Sequence, residues 1–325
     1  MTERPKGLIP PVLTPLDEEG RVDRGSLKRH LKRLLEGGAS GVFVLGSAGE
    51  GPYLPEEEKV RAVETAREAC EGRAFVVAGA LEPSTGRALS LIRELAKAGA
   101  QYAVAIMPYY IVPKPHEIER HFLTLADHSP IPLVLYNLPS ATQISIPVEL
   151  VADLAGHENV ASMKDSSGDL SLFQDYLDAA GGRISLLMGV DELGAAALLL
   201  GADGLIVATG NITPRLWARM IEAARSGKAG EVRELNRQAR QVRKLCHLDC
   251  SPVGALKEAL RQLNIFPTAK TCPPNSEPSE EDRLRVTEIL RELKPVLDAE
   301  PAPGTGETLP ATNSPQGGRD DSGRP

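Results

Sequence analysis

The chain has 325 residues, 42% of them hydrophobic, which is enough for one large α/β domain or two ordinary ones. Aromatic residues make up only 4%, so the core must be mainly aliphatic. A net charge of −7 gives no basic footprint for nucleic acid, and no apolar run has the length of a membrane span. We expect neither partner. Residues 1–6 lack the apolar core of a signal peptide, so we expect a cytoplasmic protein.

Eight short apolar runs alternate along the chain with stretches of helical periodicity. These runs, predicted as strands, are residues 8–13, 42–45, 75–78, 103–107, 133–136, 160–163, 184–188 and 205–208. Between them, Ser84, Pro115 and Pro214 are typical first residues of helices. The strands recur every ~20 to 35 residues, which is the size of one βα unit.

Eight strand–helix units in series predict an α/β fold with a parallel sheet closed into a (β/α)8 TIM barrel. The alternative is an open doubly wound sheet, which usually carries a glycine fingerprint for phosphate after its first strand; none is present. We predict the barrel over residues 1–212 and a C-terminal extension of helices packed on it over 213–298. Residues 299–325 are rich in Pro, Gly, Ser and Thr, which predicts a disordered tail.

The four cysteines form no CxxC pair, and the sequence has no HExxH, P-loop or GxGxxG motif. Cys246 to Cys250 resembles a metal clip, but the further ligands that a metal needs are missing. Thiols on helix faces in a reducing compartment are the better interpretation. We therefore predict neither a metal nor a cofactor.

Lys164 directly follows the sixth predicted strand, residues 160–163, and is itself followed at once by turn-forming residues. An ammonium group is costly to bury unless it is paired or neutralised, and a neutral amine is a nucleophile. A lysine placed in this way can form a Schiff base with a carbonyl substrate. The alternative is a lysine just beyond the strand end with its head in water, which is the better interpretation of this residue on its own.

In a TIM barrel the active site lies at the carboxyl ends of the strands, which selects a small set of residues. Segments 46–50, 108–110, 136–139, 164–166 and 189–192 follow five of the predicted strands. They bring a hydroxyl, phenols, an amine and two carboxylates to one rim. We predict six substrate-binding residues from this rim and one, Ile206, from the eighth strand: the six are Ala48, Gly49, Ser166, Gly189, Asp191 and Glu192.

Three further rim residues have predicted roles in proton transfer or anion binding. Tyr136 could move a proton to or from the carbinolamine at Lys164, and Tyr110 and Ser47 could relay that proton to solvent. The backbone amides around Ser47 could also point at the carboxylate of a keto acid. The alternative for Tyr136 is a tyrosine of the core whose hydroxyl is already hydrogen-bonded. The alternative for the loop around Ser47 is an ordinary strand-to-helix turn.

The acidic pair Asp191 and Glu192 has two interpretations of about equal weight. The two carboxylates could accept hydrogen bonds from substrate hydroxyls. They could instead be the favourable acids at a helix N-terminus.

These segments resemble the dihydrodipicolinate synthase/N-acetylneuraminate lyase family of Schiff-base aldolases. Gly46-Ser47-Ala48-Gly49-Glu50, Tyr136-Asn137-Leu138-Pro139 and Met163-Lys164-Asp165 carry the resemblance, which extends from about residue 7 to about residue 297. It implies a TIM barrel with C-terminal helices, usually a homotetramer built as a dimer of dimers. It also implies Lys164 as the Schiff-base lysine for a 2-keto acid such as pyruvate, and Tyr136 as the proton-transfer tyrosine.

The resemblance further implies that Ser47 and nearby amides bind the substrate carboxylate. It implies that Tyr110 is the relay tyrosine that reaches into the adjacent subunit, so that the tight dimer would be the working unit.

Several departures from the family pattern bear on the substrate. Synthases of this family carry an arginine shortly after Tyr-Asn-x-Pro, whereas Ser140-Ala141-Thr142 stands here. Gly189-Val190-Asp191-Glu192 resembles the segment by which neuraminate lyases hold a polyhydroxylated tail, although Ala208 replaces a serine. Residues 129–166 are similar to 4-hydroxy-2-oxoglutarate and 2-keto-3-deoxy sugar-acid aldolases.

Our hypothesis from the sequence is a class I lyase that cleaves or forms a 4-hydroxy-2-keto acid, with pyruvate as product or donor. The first alternative is 4-hydroxy-tetrahydrodipicolinate synthase, and a dehydratase acting on a deoxy-keto sugar acid is another. A non-catalytic keto-acid-binding protein is the alternative from a different class.

Overall fold

The computed structural model describes residues 4–302. Eight parallel strands form one sheet in the order β1-β8-β7-β6-β5-β4-β3-β2. The strands are β1 (Gly7–Leu8), β2 (Gly41–Val44), β3 (Phe75–Ala80), β4 (Tyr102–Ile106), β5 (Leu133–Asn137), β6 (Val160–Asp165), β7 (Ser185–Met188) and β8 (Gly204–Leu205). This confirms the predicted TIM barrel.

The barrel closes where the chain after β1 runs beside β2. Phe43 donates its backbone N–H to the Pro10 carbonyl (3.0 Å), and Val12 donates to the Phe43 carbonyl (2.8 Å). The first strand was predicted over residues 8–13, but regular pairing stops at Leu8 because Pro10 and Pro11 have no N–H to give. The segment still completes the ring with the hydrogen bonds that it can make.

Helices follow the strands around the barrel, and their bounds agree closely with the predicted starts. Ser84 caps the third helix by accepting a hydrogen bond from the Arg87 N–H, while Pro115 and Pro214 are first residues of their helices. The barrel helices are α1 (Arg24–Glu36), α2 (Glu56–Cys70), α3 (Thr85–Ala98), α4 (Pro115–His128), α5 (Pro139–Thr142), α6 (Val148–Leu154), α7 (Leu170–Ala180), α8 (Gly194–Leu200) and α9 (Pro214–Arg225).

The C-terminal extension begins one helix later than predicted. Helix α9 follows β8 and packs against β1 and α8, so it is the helix of the eighth βα unit. The extension itself comprises α10 (Ala229–Val242), α11 (Pro252–Gln262), α12 (Glu280–Glu292) and α13 (Lys294–Leu297). Helix α10 packs on α9 and α8, and α11 packs on α12, so the extension covers one side of the barrel.

The chain remains attached to the barrel beyond the predicted start of the tail. Glu300 accepts hydrogen bonds from the N–H groups of Arg215 (2.8 Å) and Leu216 (2.9 Å) at the N-terminus of α9. Arg33 donates to the Pro301 carbonyl (3.1 Å). Ordered structure therefore extends past the predicted boundary at residue 298, and the rest of the predicted tail, residues 303–325, lies outside the described residues.

The buried side chains form two layers, as alternation along the strands requires. Residues between the strands and the helices are mainly aliphatic and make up the larger cluster. A smaller cluster fills the barrel and contains Phe43, Tyr102 and Tyr136 beside aliphatic residues. Several of the few aromatic side chains therefore lie inside the ring, and two of them, Phe43 and Tyr136, lie near Lys164 at the end of β6.

The described part of the chain, residues 4–302, contains neither a helix suited to cross a membrane nor a candidate metal-binding cluster. No helix there combines the length and hydropathy that crossing a bilayer requires. No group of three or more His, Cys, Asp or Glu side chains is arranged to hold a metal ion in that part of the chain.

Candidate active site

Lys164 and Tyr136 lie side by side at the carboxyl ends of two paired strands. The register of β5 and β6 sets Tyr136 directly opposite Lys164. The Lys164 Nζ lies 4.1 Å from the centre of the Tyr136 ring, and 5.3 Å from the centre of the Phe43 ring on β2. Both side chains therefore point into the barrel, where a substrate bound to the amine would meet the phenol.

Lys164 is nearly buried, with 4% of its surface exposed. No ion pair between the described residues includes its amine, in contrast to the buried Lys59 and Lys257, which pair with Glu82 and Glu50. Its neighbours are aromatic faces, which solvate a cation weakly compared with water. The sequence therefore placed this lysine correctly at a strand end, and the interpretation with its head in open water is wrong.

The charge of Lys164 acts on the Tyr136 phenol. Burial alone would raise the pKa of this phenol, but the Lys164 ammonium and interactions with the hydroxyls of Ser166 and Ser47 outweigh burial and lower the pKa below its ordinary value. A phenol with a lowered pKa gives up and takes back a proton more readily near neutral pH. The arrangement suits Tyr136 for proton transfer at a group bound to Lys164.

Gly189 provides the space that the Lys164 side chain occupies. A Cβ atom at this position would lie 2.6 Å from Lys164 Cε, 2.2 Å from Ser166 Oγ and 2.9 Å from the Asp165 carbonyl oxygen. Each of these distances is too short for a real contact. The close approach of β6 therefore requires a glycine after β7. The sequence alone does not explain this requirement.

A second row of polar residues fixes the ends of β5 and β6 from outside the barrel. Asn137 donates to Asp165 Oδ1 (2.7 Å) and accepts from the Ile146 N–H (3.0 Å), while the Ser167 hydroxyl donates to Asp165 Oδ2 (2.8 Å). Burial raises the pKa of the Asp165 carboxyl in spite of these hydrogen bonds. The row holds the two strand ends, and with them Tyr136 and Lys164, at a fixed spacing.

The loop of Ser47, Ala48 and Gly49 follows β2 and faces the same end of the barrel. Ser47 is exposed at the rim, Ala48 is half-buried, and Gly49 is buried, with its carbonyl accepting from the Thr14 hydroxyl (2.7 Å). A Cβ on Gly49 would lie 2.7 Å from the Val12 carbonyl oxygen. The loop is thus packed tightly at one end, while its serine is exposed at the rim of the barrel.

Asp191, for which the sequence left two interpretations open, binds backbone and side-chain groups of the segment after β8. Its carboxylate is buried and accepts hydrogen bonds from the N–H groups of Ala208 (3.0 Å) and Thr209 (2.9 Å), and from the Thr209 hydroxyl. These contacts turn residues 208–211 into a short 3-10 helix, which is why β8 ends before the predicted Ala208. Asp191 therefore supports the rim from within.

Glu192, the other predicted acid, is half-exposed beside the C-terminal extension. One of its carboxylate oxygens lies 3.5 Å from Arg243 Nε and 3.5 Å from His247 Nε2. Arg243 also donates to the Asp191 carbonyl (2.8 Å). The role of Glu192 in binding substrate hydroxyls stays a prediction.

The remaining predicted residues lie at very different depths. Ile206 is buried inside the barrel, where it forms part of the floor below the site. Tyr110 is 90% exposed and has a left-handed backbone conformation, with φ of 79°. The action of Tyr110 on a neighbouring subunit stays a prediction.

Sequence reasoning missed three residues that shape the site. Phe43 lies under the amine, Thr209 binds Asp191, and Lys257 binds Glu50, the residue after the Ser47–Gly49 loop. Lys257 had a recognisable signal, because it stands among apolar residues on a helix that is otherwise buried. No such signal marks Phe43 or Thr209.

A cavity of about 1150 Å³ lies at the opposite end of the barrel. It is lined by basic residues that include Arg4, Lys6 and Arg225. Lys6 pairs with Asp203, and Arg225 donates to the Asp203 carbonyl (3.2 Å). None of the predicted site residues lines this cavity. The amino ends of the strands in TIM barrels, where the cavity lies, rarely carry catalytic residues.

Comparison with known proteins agrees with this geometry. Residues 4–293 match the Dihydrodipicolinate synthetase family. The 4-hydroxy-tetrahydrodipicolinate synthase of Methanococcus aeolicus is 31% identical over 288 residues, covering 88% of this chain and 98% of the relative. The 4-hydroxy-tetrahydrodipicolinate synthase of Xylella fastidiosa is 32% identical over 259 residues, covering 80% of this chain and 85% of the relative.

Two solved structures show the same fold. YagE, a prophage protein of E. coli K12 solved in complex with pyruvate, has a TM-score of 0.85 and 28% identity, covering 89% of this chain and 98% of its own. The dihydrodipicolinate synthase of Aquifex aeolicus has a TM-score of 0.84 and 29% identity, with the same coverage of 89% and 98%.

The barrel, the lysine at the end of β6 and these relatives define a lyase of the pyruvate-dependent class I aldolase type. The chain belongs to the dihydrodipicolinate synthetase family.

Proposed function

We propose that this enzyme cleaves or forms a 4-hydroxy-2-keto acid through a Schiff base between Lys164 and the keto carbon. The observation that carries the proposal is the nearly buried Lys164 amine, without a carboxylate partner among residues 4–302, 4.1 Å from the centre of the Tyr136 ring. A nucleophilic amine in such a setting is suited to attack a carbonyl carbon.

The cleavage direction follows from this arrangement. The Lys164 amine adds to the C2 carbonyl, and loss of water gives a protonated imine. Tyr136 takes the proton of the C4 hydroxyl as the C3–C4 bond breaks, an aldehyde leaves, and the bonding electrons move into the imine to form an enamine. Protonation of C3 and hydrolysis then release pyruvate and the free amine. The imine is the electron sink, so this scheme uses no cofactor.

The rim supplies groups for the rest of the substrate. Ser47 and the amides of Ala48 and Gly49 would bind the keto-acid carboxylate, since this loop faces the phenol and the amine. Ser166 and Gly189 lie against Lys164 and would border the bound pyruvate unit. Glu192 would accept from hydroxyls of the aldehyde part.

We further propose that the working unit is a tight dimer, assembled into a homotetramer, in which Tyr110 completes the proton relay of a neighbouring subunit. The exposure of Tyr110 and of the adjacent apolar residues Ile111 and Val112 supports this assembly. A cytoplasmic location is part of the proposal, and the four free cysteines fit a reducing compartment.

The second candidate function is 4-hydroxy-tetrahydrodipicolinate synthase, in which pyruvate condenses with aspartate semialdehyde. It is favoured by the name that the curated relatives carry at about 31% identity. Against it, Pro139 is followed by Ser140 and Ala141 in α5, where the synthase pattern has an arginine for the carboxylate of the aldehyde.

Parallel assays separate the two functions. Pyruvate release from a panel of 4-hydroxy-2-keto acids is measured beside condensation of pyruvate with aspartate semialdehyde, with Lys164→Ala as the blank for both. We expect the larger kcat/KM for release from a hydroxy-keto acid. A larger value for the condensation would replace our proposal with the synthase function.

A further inference from the structure

Glu50, the residue after the Ser47–Gly49 loop, is fully buried and completely engaged. Its Oε2 accepts from the Lys257 ammonium, and its Oε1 accepts from the Cys272 N–H (2.7 Å) and from Asn275 Nδ2 (3.0 Å). Its backbone lies in the left-handed region, with φ of 57°, which a residue other than glycine adopts at a cost. Side-chain contacts therefore hold this backbone position.

Lys257 brings the C-terminal extension into these contacts. It lies on α11, is fully buried, and also donates to the Lys270 carbonyl (2.7 Å). We call Glu50, Lys257, Lys270, Cys272 and Asn275 the Glu50 network. It joins the end of the loop after β2 to a helix and a segment more than 200 positions further along the chain.

A buried ion pair is an uncertain source of stability, because removing two charges from water costs about as much as their attraction returns. What such a pair fixes well is geometry, since its hydrogen bonds are directional and the cost of misplacing either charge is high. The Glu50 network is therefore better suited to fixing the position of the chain segments that it joins than to adding net stability.

The loop that would benefit from a fixed position is Ser47–Gly49. Glu50 donates its N–H to the Ser47 carbonyl (3.1 Å), and Gly51 donates to the Gly46 carbonyl (3.1 Å). Gly51 is packed so closely that a Cβ would lie 2.0 Å from the Leu45 carbonyl oxygen. The loop is consequently a tight turn whose far end is set by Glu50, and a shift of Glu50 would move the Ser47 hydroxyl and the amides beside it.

We propose that Glu50 and Lys257 are positioning residues: their ion pair holds the Ser47–Gly49 loop where it binds the carboxylate of the keto acid, and neither residue touches substrate. The inference rests on the proposed function of that loop. It assigns to the C-terminal extension a direct part in substrate binding, through α11.

The test measures the pyruvate concentration that gives half-maximal borohydride-trapped adduct on Lys164. Glu50→Gln removes the charge of the carboxylate and leaves Lys257 unpaired, and Lys257→Met removes the amine. We expect the half-saturating concentration to rise by about tenfold or more in both variants, because small misplacements of binding groups have large effects. The maximal amount of adduct at saturating pyruvate should change much less, since Lys164 and Tyr136 remain in place.

Two further variants separate positioning from a general loss of stability. Glu258→Gln alters a buried carboxylate on the same helix that binds Arg261 and Gln262 and has no contact described with the loop. It should unfold at a lower temperature but keep the wild-type half-saturation. Asn275→Ala keeps the ion pair and removes one hydrogen bond to Glu50, so it should fold and show a smaller rise in the same direction.

The outcomes distinguish this inference from the function on which it rests. Wild-type protein that forms no adduct with pyruvate would refute the proposed function. Wild-type adduct formation together with unchanged half-saturation in folded Glu50→Gln, Lys257→Met and Asn275→Ala would overturn the positioning role alone. A rise in Glu258→Gln equal to that in Glu50→Gln would also overturn it, because the effect would then follow stability.

Discussion

At the scale of single residues, the hydroxyl of Tyr136 carries the proton transfer that our scheme requires. Tyr136→Phe keeps the aromatic ring beside Lys164 and removes only this hydroxyl. We expect the rate of pyruvate release to fall by about 10²- to 10⁴-fold, while the pyruvate adduct still forms, more slowly, to its full extent. Steady-state turnover and trapping with borohydride over time measure the two effects separately.

Tyr176→Phe is the matched control for this change. Tyr176 is another buried tyrosine, and it donates to the Ile146 carbonyl (2.6 Å) on the outer side of the barrel. Losing that hydrogen bond should lower the free energy of unfolding by about 1 kcal/mol and leave turnover unchanged. Near wild-type turnover in Tyr136→Phe would assign the proton transfer to another group.

The sequence predicts the position of a site residue where that position depends only on the strand to which the residue belongs. Lys164 and Tyr136 could be placed together because each lies at the end of a predicted strand, and neighbouring parallel strands bring their ends to one rim. Asp191 could not be assigned in this way, because the N–H groups of Ala208 and Thr209 that its carboxylate binds become available only when β8 has turned. The Lys257–Glu50 pair likewise joins residues 207 positions apart.

At the scale of elements, the spacing between the ends of β6 and β7 determines where the Lys164 side chain can lie. Gly189→Ala puts a methyl group into the space of Lys164 Cε and Ser166 Oγ. We expect adduct formation with pyruvate to slow by about 10²-fold, since the reacting amine is displaced. The rate of borohydride trapping at saturating pyruvate measures this effect.

Gly230→Ala is the control for replacing a glycine. Gly230 lies near the start of α10 with open space where a Cβ would be, so alanine should leave adduct formation unchanged and slightly stabilise the helix. Equal rates in Gly189→Ala and the wild type would show that the amine tolerates displacement, contrary to our description of the site.

A second prediction at this scale concerns His121, which links three elements. On α4, its ring contacts the Ile106 carbonyl at the end of β4 (3.1 Å) and the Thr85 hydroxyl at the start of α3 (2.8 Å). Burial lowers its pKa to about 4. The unfolded chain takes up a proton near pH 6.5 and the native protein does not, so stability is lost as the pH falls from about 6.5 towards 4.

His121→Gln removes this titration. We expect the free energy of unfolding to depend less steeply on pH between about 4 and 6.5. The reason is that unfolding of the variant takes up to one proton fewer. Urea unfolding at a series of pH values measures the slope. His30 contributes a remaining slope of the same sign, because burial lowers its pKa to about 3. An unchanged slope in His121→Gln would mean that the native protein protonates this histidine freely.

The order of the elements could be predicted from periodicity, and their exact ends could not. The eight strands and the helix starts at Ser84, Pro115 and Pro214 have local signals. The early end of β1 results from Pro10 and Pro11, whose missing N–H groups the sequence does show, although the Pro10 carbonyl still accepts a hydrogen bond from Phe43 on β2. The place of α9 in the barrel depends on how the ring closes, which a local pattern does not reveal.

At the scale of the whole molecule, the face that carries the loop after β4 exposes consecutive apolar side chains. Ile111, which follows Tyr110 after β4, is 76% exposed, and Val112 beside it is also exposed. We expect this face to be covered by a second copy of the chain. Ile111→Glu should therefore shift the protein towards monomers in sedimentation velocity and lower turnover, because Tyr110 would no longer reach the neighbouring site.

Leu284→Glu is the matched control, since Leu284 on α12 is 60% exposed and lies in the C-terminal extension. It should leave both the sedimentation coefficient and turnover unchanged. Monomeric wild-type protein, or Ile111→Glu with wild-type assembly, would contradict the proposed dimer.

The proposed chemistry requires that Lys164 forms the Schiff base with pyruvate. The most direct measurement is peptide mass mapping after borohydride trapping with pyruvate. We predict one modified lysine, Lys164, and no adduct in Lys164→Ala, whereas Lys59→Ala, which removes another buried lysine, should be modified like the wild type. An adduct on a different lysine, or one that persists in Lys164→Ala, would contradict the account.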